Sequence, residues 1–355
     1  MKHKSTSKKN TRKIVNPFEF TKNENDTRIY KYEYTTEHII ADEKNNLDKI
    51  NDHKLNNSII WLNIDGSNIE VIKNIAALYN IHDLLLEDIL SHGQRPKYDE
   101  VNDVIFTLLY MLYYNDETKE IEIEQISIAL TYNTVLCFQE NSDKDVFKNI
   151  SALLKNKTSK LRNRNADYLF YALLDTIVNS YYKVIEKLGI EIENLETTII
   201  ENPRQDAFKR INQLRKELIL LKRNTLPVRD LIAAIMRMEN NLLEERTKKY
   251  LKDVYDQIMQ ANELTENYRE LTMSLQDLYL NTVNLKMNEI MKTLAILTAV
   301  MAPATVIGGI FGMNFEKMPI IHNNLGFLIT VGLMILIPIF MLWWFFYRGW
   351  FKKEY

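Results

Sequence analysis

Two uncharged apolar runs lie at the C-terminal end of the chain, Leu294 to Phe311 with 18 residues and Leu325 to Tyr347 with 23. No other feature limits the fold so tightly. About 20 apolar residues in helical form cross a hydrocarbon core of ~30 Å. A helix also satisfies its own backbone polar groups where no water is present. Two core helices of a soluble protein would be the alternative, but the second run argues against it. It ends in Trp343, Trp344 and Tyr347 and is followed by Arg348, Lys352 and Lys353. Aromatic residues followed by basic ones mark a cytoplasmic membrane interface. The expected membrane region is 291–347, with spans at about 291–312 and 325–347, an external loop 313–324 and a basic tail 348–355. Lys286 and Lys292 precede the first span, and the loop sets Lys317 against Glu316. The basic excess puts both termini in the cytoplasm, and the two spans lead us to expect a multi-pass protein of the plasma membrane with the lipid bilayer as a partner.

The bulk upstream is water-soluble in character. Net charge is −2, from 45 Lys and Arg against 47 Asp and Glu, which excludes a nucleic-acid binder. Residues 1–27 open with Lys2, Lys4, Lys8, Lys9, Arg12 and Lys13 and lack an apolar signal core, so they are expected to be a disordered basic tail rather than a secretory leader. The single cysteine, Cys137, rules out a disulfide framework. The six histidines have no zinc-ligand spacing, and neither a phosphate loop nor a nucleophile motif is present. The chain is not expected to be an enzyme.

Residues 28–165 read as an α+β cytoplasmic domain. Ser58 to Ile64 has the character of a buried strand. Val104 to Tyr114, Ile121 to Leu130 and Thr134 to Gln139 read as an antiparallel meander with turns at Asn115-Asp116 and Tyr132-Asn133. Ser67 to Tyr79 and Ile81 to Leu90 have helical spacing. From 166 to 290 the pattern is a helical stalk. One helix should stop at Asn202-Pro203, a second should run from Gln205 to about Arg223, and Pro227 should mark a break. From about Leu243 to Phe311 no Gly or Pro occurs before Pro303, so one long helix should run from the soluble body into the first span.

Read with a period of 3.5, this long helix carries a stripe: Asp277, Asn281, Asn284, Asn288, Met291, Ala295, Thr298, Ala302, Thr305, Gly309 and Gly312. A seven-residue spacing keeps one seam facing a partner helix. This seam is small or polar almost throughout, while Ile296, Val300, Ile307 and Ile310 lie elsewhere. Two readings stay open. One is a close-packed helix interface, where small residues let backbones approach. The other is a pore wall built from several copies of the helix. The Asp and Asn residues favour the pore, because buried carboxylates and carboxamides are costly in a dry seam.

The stripe ends at Gly312-Met313-Asn314. Gly312 fits a left-handed residue just after a helix. A ring of Asn314 carboxamides would instead offer neutral acceptors to hydrated Mg²⁺, which releases its waters reluctantly. Asn288-Glu-Ile-Met291, Pro303, Thr305 and Gly308-Gly-Ile-Phe-Gly-Met-Asn-Phe-Glu-Lys-Met-Pro319 resemble the CorA family of magnesium transporters. The likeness extends to Leu86-Glu-Asp-Ile-Leu90, Gln94-Arg-Pro-Lys97 and Lys252-Asp-Val-Tyr-Asp256.

The resemblance implies a homopentameric funnel that passes Mg²⁺, with Co²⁺ and Ni²⁺ as further candidates. It implies a selectivity filter at Gly312, Met313 and Asn314. Asp277, Asn284, Asn288, Thr298, Thr305 and Gly309 would line the pore, with Glu316 in the external loop. Met291, Leu294 and Met301 would form a hydrophobic gate. Asp88 and Asp253, with Glu87 and Asp256 nearby, would hold a regulatory Mg²⁺ between subunits. Two departures stand out: Ile320 and Ile321 follow Pro319 where the family loop is often more acidic, and Ala302 takes a stripe position often held by Met. A zinc transporter of the ZntB type shares the architecture but usually alters the middle of Gly-Met-Asn. A non-conducting membrane-anchored scaffold is the alternative from another class.

Overall fold

The structure, a computed structural model, describes residues 27–44, 55–140, 147–313 and 325–351. The expected basic tail up to residue 26, the loop from Asn314 to residue 324, and Lys352 and Lys353 lie outside the described residues. The chain divides into two compact units, Met1–Thr197 with Phe208–Leu275, and Thr198–Ala207 with Gln276–Tyr355.

The first unit holds a seven-stranded mixed sheet. Its strands are β1 (Arg28–Tyr34), β2 (Ile39–Lys44), β3 (Ile59–Asp65), β4 (Lys97–Val101), β5 (Val104–Asn115), β6 (Glu120–Leu130) and β7 (Thr134–Gln139). They lie in the order β2-β1-β3-β7-β6-β5-β4. All neighbours are antiparallel except β3 and β7, which pair in parallel from Ile60 opposite Thr134 to Asp65 opposite Gln139. Every residue of β7 is buried, as is every residue of β3 after Ile59. Continuous burial of this kind belongs to central strands covered on both faces. Asn102 and Asp103 both have positive φ, 50° and 57°, which matches the twist that a two-residue hairpin between β4 and β5 requires.

Helices α1 (Ile69–Leu78) and α2 (Asp83–Leu90) fill the connection between β3 and β4, and α3 (Lys148–Lys155) follows β7. The start of α1 is fixed by Asn68, whose Oδ1 accepts from the amides of Glu70 and Val71 at 3.0 and 3.2 Å. Trp61, at 1% exposure, stacks on Tyr32 at 4.8 Å and meets Phe147 edge-on at 6.3 Å. Burying such a ring is worth several times a single methylene.

Three long helices follow: α4 (Ala166–Glu201), α5 (Gln205–Arg237) and α6 (Glu245–Phe311). Within the first unit they are joined by an aromatic cluster and by polar pairs. Tyr168 and Tyr171 of α4 lie 5.2 and 5.3 Å from the Tyr250 ring of α6. Lys222 Nζ of α5 lies 2.6 Å from Glu266 Oε2 of α6, and Thr225 Oγ1 donates to Asn262 Oδ1 at 2.8 Å. The expected break at Pro227 does not occur, because α5 continues through it to Arg237. A mid-helix proline removes one amide and clashes with one carbonyl. Here Val228, Leu231 and Ile232 beyond it are 0–2% exposed, so packing outweighs that local cost.

The second unit contains the apolar helices. The C-terminal part of α6 and the whole of α7 (Gly326–Tyr347) are long and apolar enough to cross a membrane. Only 6% of the α7 window is buried within the chain, as suits a surface that meets lipid. Helix α7 closes with a Schellman motif. Gly349 has φ 75°, its amide bonds Phe346 O at 3.1 Å, and the Trp350 amide bonds Phe345 O at 3.1 Å. The Trp350 ring packs on Phe345 at 5.1 Å, and the Arg348 guanidinium lies 5.3 Å from the Trp344 ring.

Candidate ion pathway and metal site

The membrane part of α6 has two distinct faces. Ile296 and Val300 are 6% exposed and pack with Ala299 against Phe345 and Met341 of α7. Gly308 lies at the edge of that face, where a Cβ would meet Met334 Cε of α7 at 3.3 Å. At 100° per residue, Thr298, Thr305 and Gly309 lie roughly 180° around the helix from Ile296 and Val300. All the stripe positions from Asp277 to Gly312 are exposed in the single chain, including Asn284, Asn288 and Met291. Leu294 and Met301 flank the stripe and are 61% and 56% exposed. A shallow open groove runs along Thr298, Met301, Ala302 and Thr305.

The threonine hydroxyls of this stripe are satisfied locally. Thr298 Oγ1 donates to Leu294 O at 2.9 Å and Thr305 Oγ1 to Met301 O at 3.0 Å. Their protons are thereby committed, and each oxygen presents acceptor lone pairs outward. That suits a hydrated cation. Helix α6 ends at Phe311, with the Gly312 amide bonding Gly308 O at 2.9 Å. Gly312 does not take the left-handed conformation expected for it; the glycines with positive φ are Gly66, Gly93 and Gly349. A Cβ at Gly312 would meet only the backbone of its own last turn, 3.2 Å from Gly308 O. Met313 is exposed. Asn314 and Glu316 lie outside the described residues.

In the first unit, Asp88 is built in from several sides. Its helix α2 starts at His82, whose Nδ1 accepts from the Leu84 amide at 3.2 Å. The helix ends under the side chain of Gln125 on β6, whose Nε2 donates to the carbonyls of Asp88, Ile89 and Ser91 at 3.3, 3.4 and 3.0 Å. Asp88 Oδ1 accepts from Gln94 Nε2 at 3.0 Å, and Asp88 Oδ2 lies 2.6 Å from Lys97 Nζ. Gln94 is held in turn, its carbonyl accepting from Tyr110 Oη at 2.8 Å, while the Tyr110 carbonyl accepts from Tyr181 Oη of α4 at 3.0 Å. Glu87, Asp88, Gln94, Lys97 and Asp99 line one surface concavity.

Asp253 and Asp256 are exposed on α6, one turn apart on one face. Among the described residues of a single chain, no three His, Cys, Asp or Glu side chains converge as a metal site. The chain therefore does not bring Asp88, Glu87, Asp253 and Asp256 together by itself. Two neighbours of these acids are set by tertiary contacts that no local pattern marks. Lys97 sits inside the quoted Gln94-Arg-Pro-Lys97 motif, but its contact with Asp88 is tertiary. Asp175 of α4 accepts from Asn179 at 3.0 Å and Gln257 at 3.4 Å. Burial pushes its carboxyl above the ordinary range, and the negative charge of Asp253 adds to that.

A family model described as CorA-like Mg²⁺ transporter protein matches residues 56–353. The chain belongs to the CorA family. The cobalt/magnesium transport protein CorA of Thermotoga maritima is 36% identical over 291 residues, covering 82% of this chain and 83% of that protein. The complete structure of the CorA magnesium transporter from Methanocaldococcus jannaschii aligns with a TM-score of 0.73 at 22% identity, over 91% of this chain and 98% of that one. It shows the same fold: an α+β domain, a long helix and a C-terminal helix. The zinc transport protein ZntB of Yersinia enterocolitica is more distant, 19% identical over 82% of this chain and 87% of that protein. Membership of the CorA family makes this a membrane transport protein whose two spans are the end of α6 and α7.

Proposed function

We propose that the chain forms a homopentameric channel for voltage-driven Mg²⁺ influx, with Co²⁺ and Ni²⁺ as secondary cargo and both termini in the cytoplasm. The observation that carries this reading is the exposed polar and small-residue stripe of α6, opposite the face that α7 covers. The stripe continues from Asp277, Asn284 and Asn288 before the first span into Thr298, Thr305 and Gly309 within it, one polar or small face along the whole path, where a lipid-facing helix would carry large apolar side chains. Five copies turned inward would give it water. Asn314 would then ring the outer mouth, with Gly312 and Met313 completing the filter. Thr305, Gly309, Thr298, Asn288 and Asn284 would line the path, and Asp277 would mark the cytoplasmic exit. Met291 and Leu294, with Met301 above them, form the hydrophobic constriction, which opens by wetting. A divalent cation gains about 4.6 kcal/mol per 100 mV when the inside is negative.

Regulation would come from Asp88 and Asp253 of adjacent subunits, supported by Glu87 and Asp256. Oxygen-only carboxylate ligands on an accessible surface suit Mg²⁺, which keeps several of its waters. Bound there, Mg²⁺ would supply positive charge between acids that otherwise repel. The acids hold the funnel symmetric when bridged and loosen it when not.

The test is cation-dye influx into inside-negative proteoliposomes holding the purified protein, with Mg²⁺ or Zn²⁺ outside. Mg²⁺ entry that Asn314→Ala abolishes is the expected result. Zn²⁺ entry without Mg²⁺ would favour the ZntB-type activity, and no entry of either ion after chelating internal Mg²⁺ would leave the non-conducting scaffold.

A further inference from the structure

Both oxygens of Asp88 already have partners, and the two partners differ in kind. Gln94 is neutral and is itself held in place through Tyr110. Lys97 is charged, 37% exposed, and sits on a flexible four-carbon stem. Lys97 opens β4, and Asp99 follows two residues later, so the two side chains share one face of the strand. Asp99 Oδ2 lies 3.6 Å from the same ammonium. The lysine thus stands between two carboxylates, in contact with the more buried one and within a rotamer change of the more exposed one.

We infer that Lys97 is a tethered competitor for the regulatory cation, occupying Asp88 when Mg²⁺ is low and moving to Asp99 when Mg²⁺ takes Asp88. The inference rests on the regulatory reading of Asp88 and Asp253. Without the lysine, the carboxylates of this site would attract Mg²⁺ more strongly, and the site would fill at a lower concentration. An ammonium already in place makes binding an exchange of cations, which raises the Mg²⁺ concentration at which the site fills. It also neutralises Asp88 in the unbridged state, so the repulsion between subunits falls more on Glu87, Asp253 and Asp256. Asp99 has a defined part, since it receives the displaced charge and lowers the cost of displacement.

The experiment uses the full chain purified in detergent, with Mg²⁺ as the only added ligand. The readout is the Mg²⁺ concentration giving half of the maximal rise in melting temperature. Lys97→Met should lower that concentration about three- to tenfold, the range of a partly buried pair. Lys97→Arg keeps a cation with a planar fork and should not lower it. Asp99→Asn should raise it. In the wild-type chain, acylation of Lys97 followed by mass spectrometry should increase with Mg²⁺ over the same concentration range. A folded Lys97→Met whose half-point is unchanged or higher, or Lys97 reactivity indifferent to Mg²⁺, would overturn the inference. Asp253→Asn separates the two ideas. If it weakens the Mg²⁺ response while Lys97→Met shifts nothing, only the lysine inference falls. If it leaves the response intact, the regulatory reading fails and the lysine inference falls with it.

Discussion

The side-chain amide of Gln125 lies 3.0 Å from the carbonyl of Ser91 and closes the C-terminal end of α2 from the neighbouring sheet. The last carbonyls of a helix lack internal partners, and those of α2 find theirs on β6. Gln125 is 4% exposed, so water cannot replace it. Gln125→Met should cost about 1–3 kcal/mol, the penalty of leaving buried acceptors unpaired. A thermal melt measures the loss. Because the same carbonyls place Asp88, any stabilisation by Mg²⁺ at the proposed regulatory site should also be weaker in this variant than in the wild type.

The second prediction concerns Gly189, inside α4. A Cβ there would collide with the hydroxyl of Tyr268 on α6 and would lie 2.8 Å from Tyr268 Cζ. Glycine in mid-helix sacrifices about 1 kcal/mol relative to alanine, and here it makes room for a ring. Gly189→Ala should therefore destabilise by about 1–3 kcal/mol, against its propensity gain. In a Tyr268→Ala background the same change should stabilise. Melting curves of the four members of this cycle decide it, and simple additivity would refute the close contact.

A third prediction follows from the junction of the β5–β6 turn with the helices. Glu191 Oε1 lies 2.6 Å from Lys119 Nζ, and Glu191 Oε2 lies 2.9 Å from Arg210 Nη2. Burial alone would raise this carboxyl. The hydrogen bonds and charges of Lys119 and Arg210 outweigh it and hold Glu191 below the usual range. Its contribution to stability is then complete above the unfolded value of about 4.3 and is lost as pH falls through the lower folded value. Glu191→Gln should melt at a lower temperature at pH 7, and its deficit against the wild type should shrink as the pH drops below about 4. A deficit that stays constant with pH would show that the charge does not matter.

Much of this architecture is written locally in the chain. The two spans are legible because charge is absent over a whole run, a signal that no single residue can spoil. The strands Val104–Asn115 and Thr134–Gln139 are legible because buried central strands are continuously apolar. Strand β1 reads Arg-Ile-Tyr-Lys-Tyr-Glu-Tyr, with Lys31 and Glu33 buried and paired at 3.4 Å, and a polar buried pair erases the hydrophobic alternation. Pro227 misleads because a local rule is overridden by the packing of Val228 and Leu231. The stripe on α6 is visible in sequence as spacing. That α7 covers the opposite face is a tertiary fact, as is the hold of Lys97 on Asp88. Composition and periodicity report what a segment prefers; they are silent on which distant side chain fills its one remaining contact.

The final prediction sets adjacent glycines against each other. Gly308 faces Met334 of α7 at a spacing that a Cβ would already crowd, whereas nothing lies within 4 Å of a Cβ at Gly309. Gly308→Leu should force α6 and α7 apart, costing about 1–3 kcal/mol, and should show as heat-induced loss of the assembled species in gel filtration. Gly309→Leu should leave that thermal behaviour unchanged. If the exposed face lines a pore, Gly309→Leu narrows it with an apolar side chain from every subunit and should cut Mg²⁺ entry into proteoliposomes at least about tenfold. Loss of assembly in Gly309→Leu with normal assembly in Gly308→Leu would reverse the assignment of the two faces. Normal Mg²⁺ entry through an intact Gly309→Leu assembly would place the ion path elsewhere.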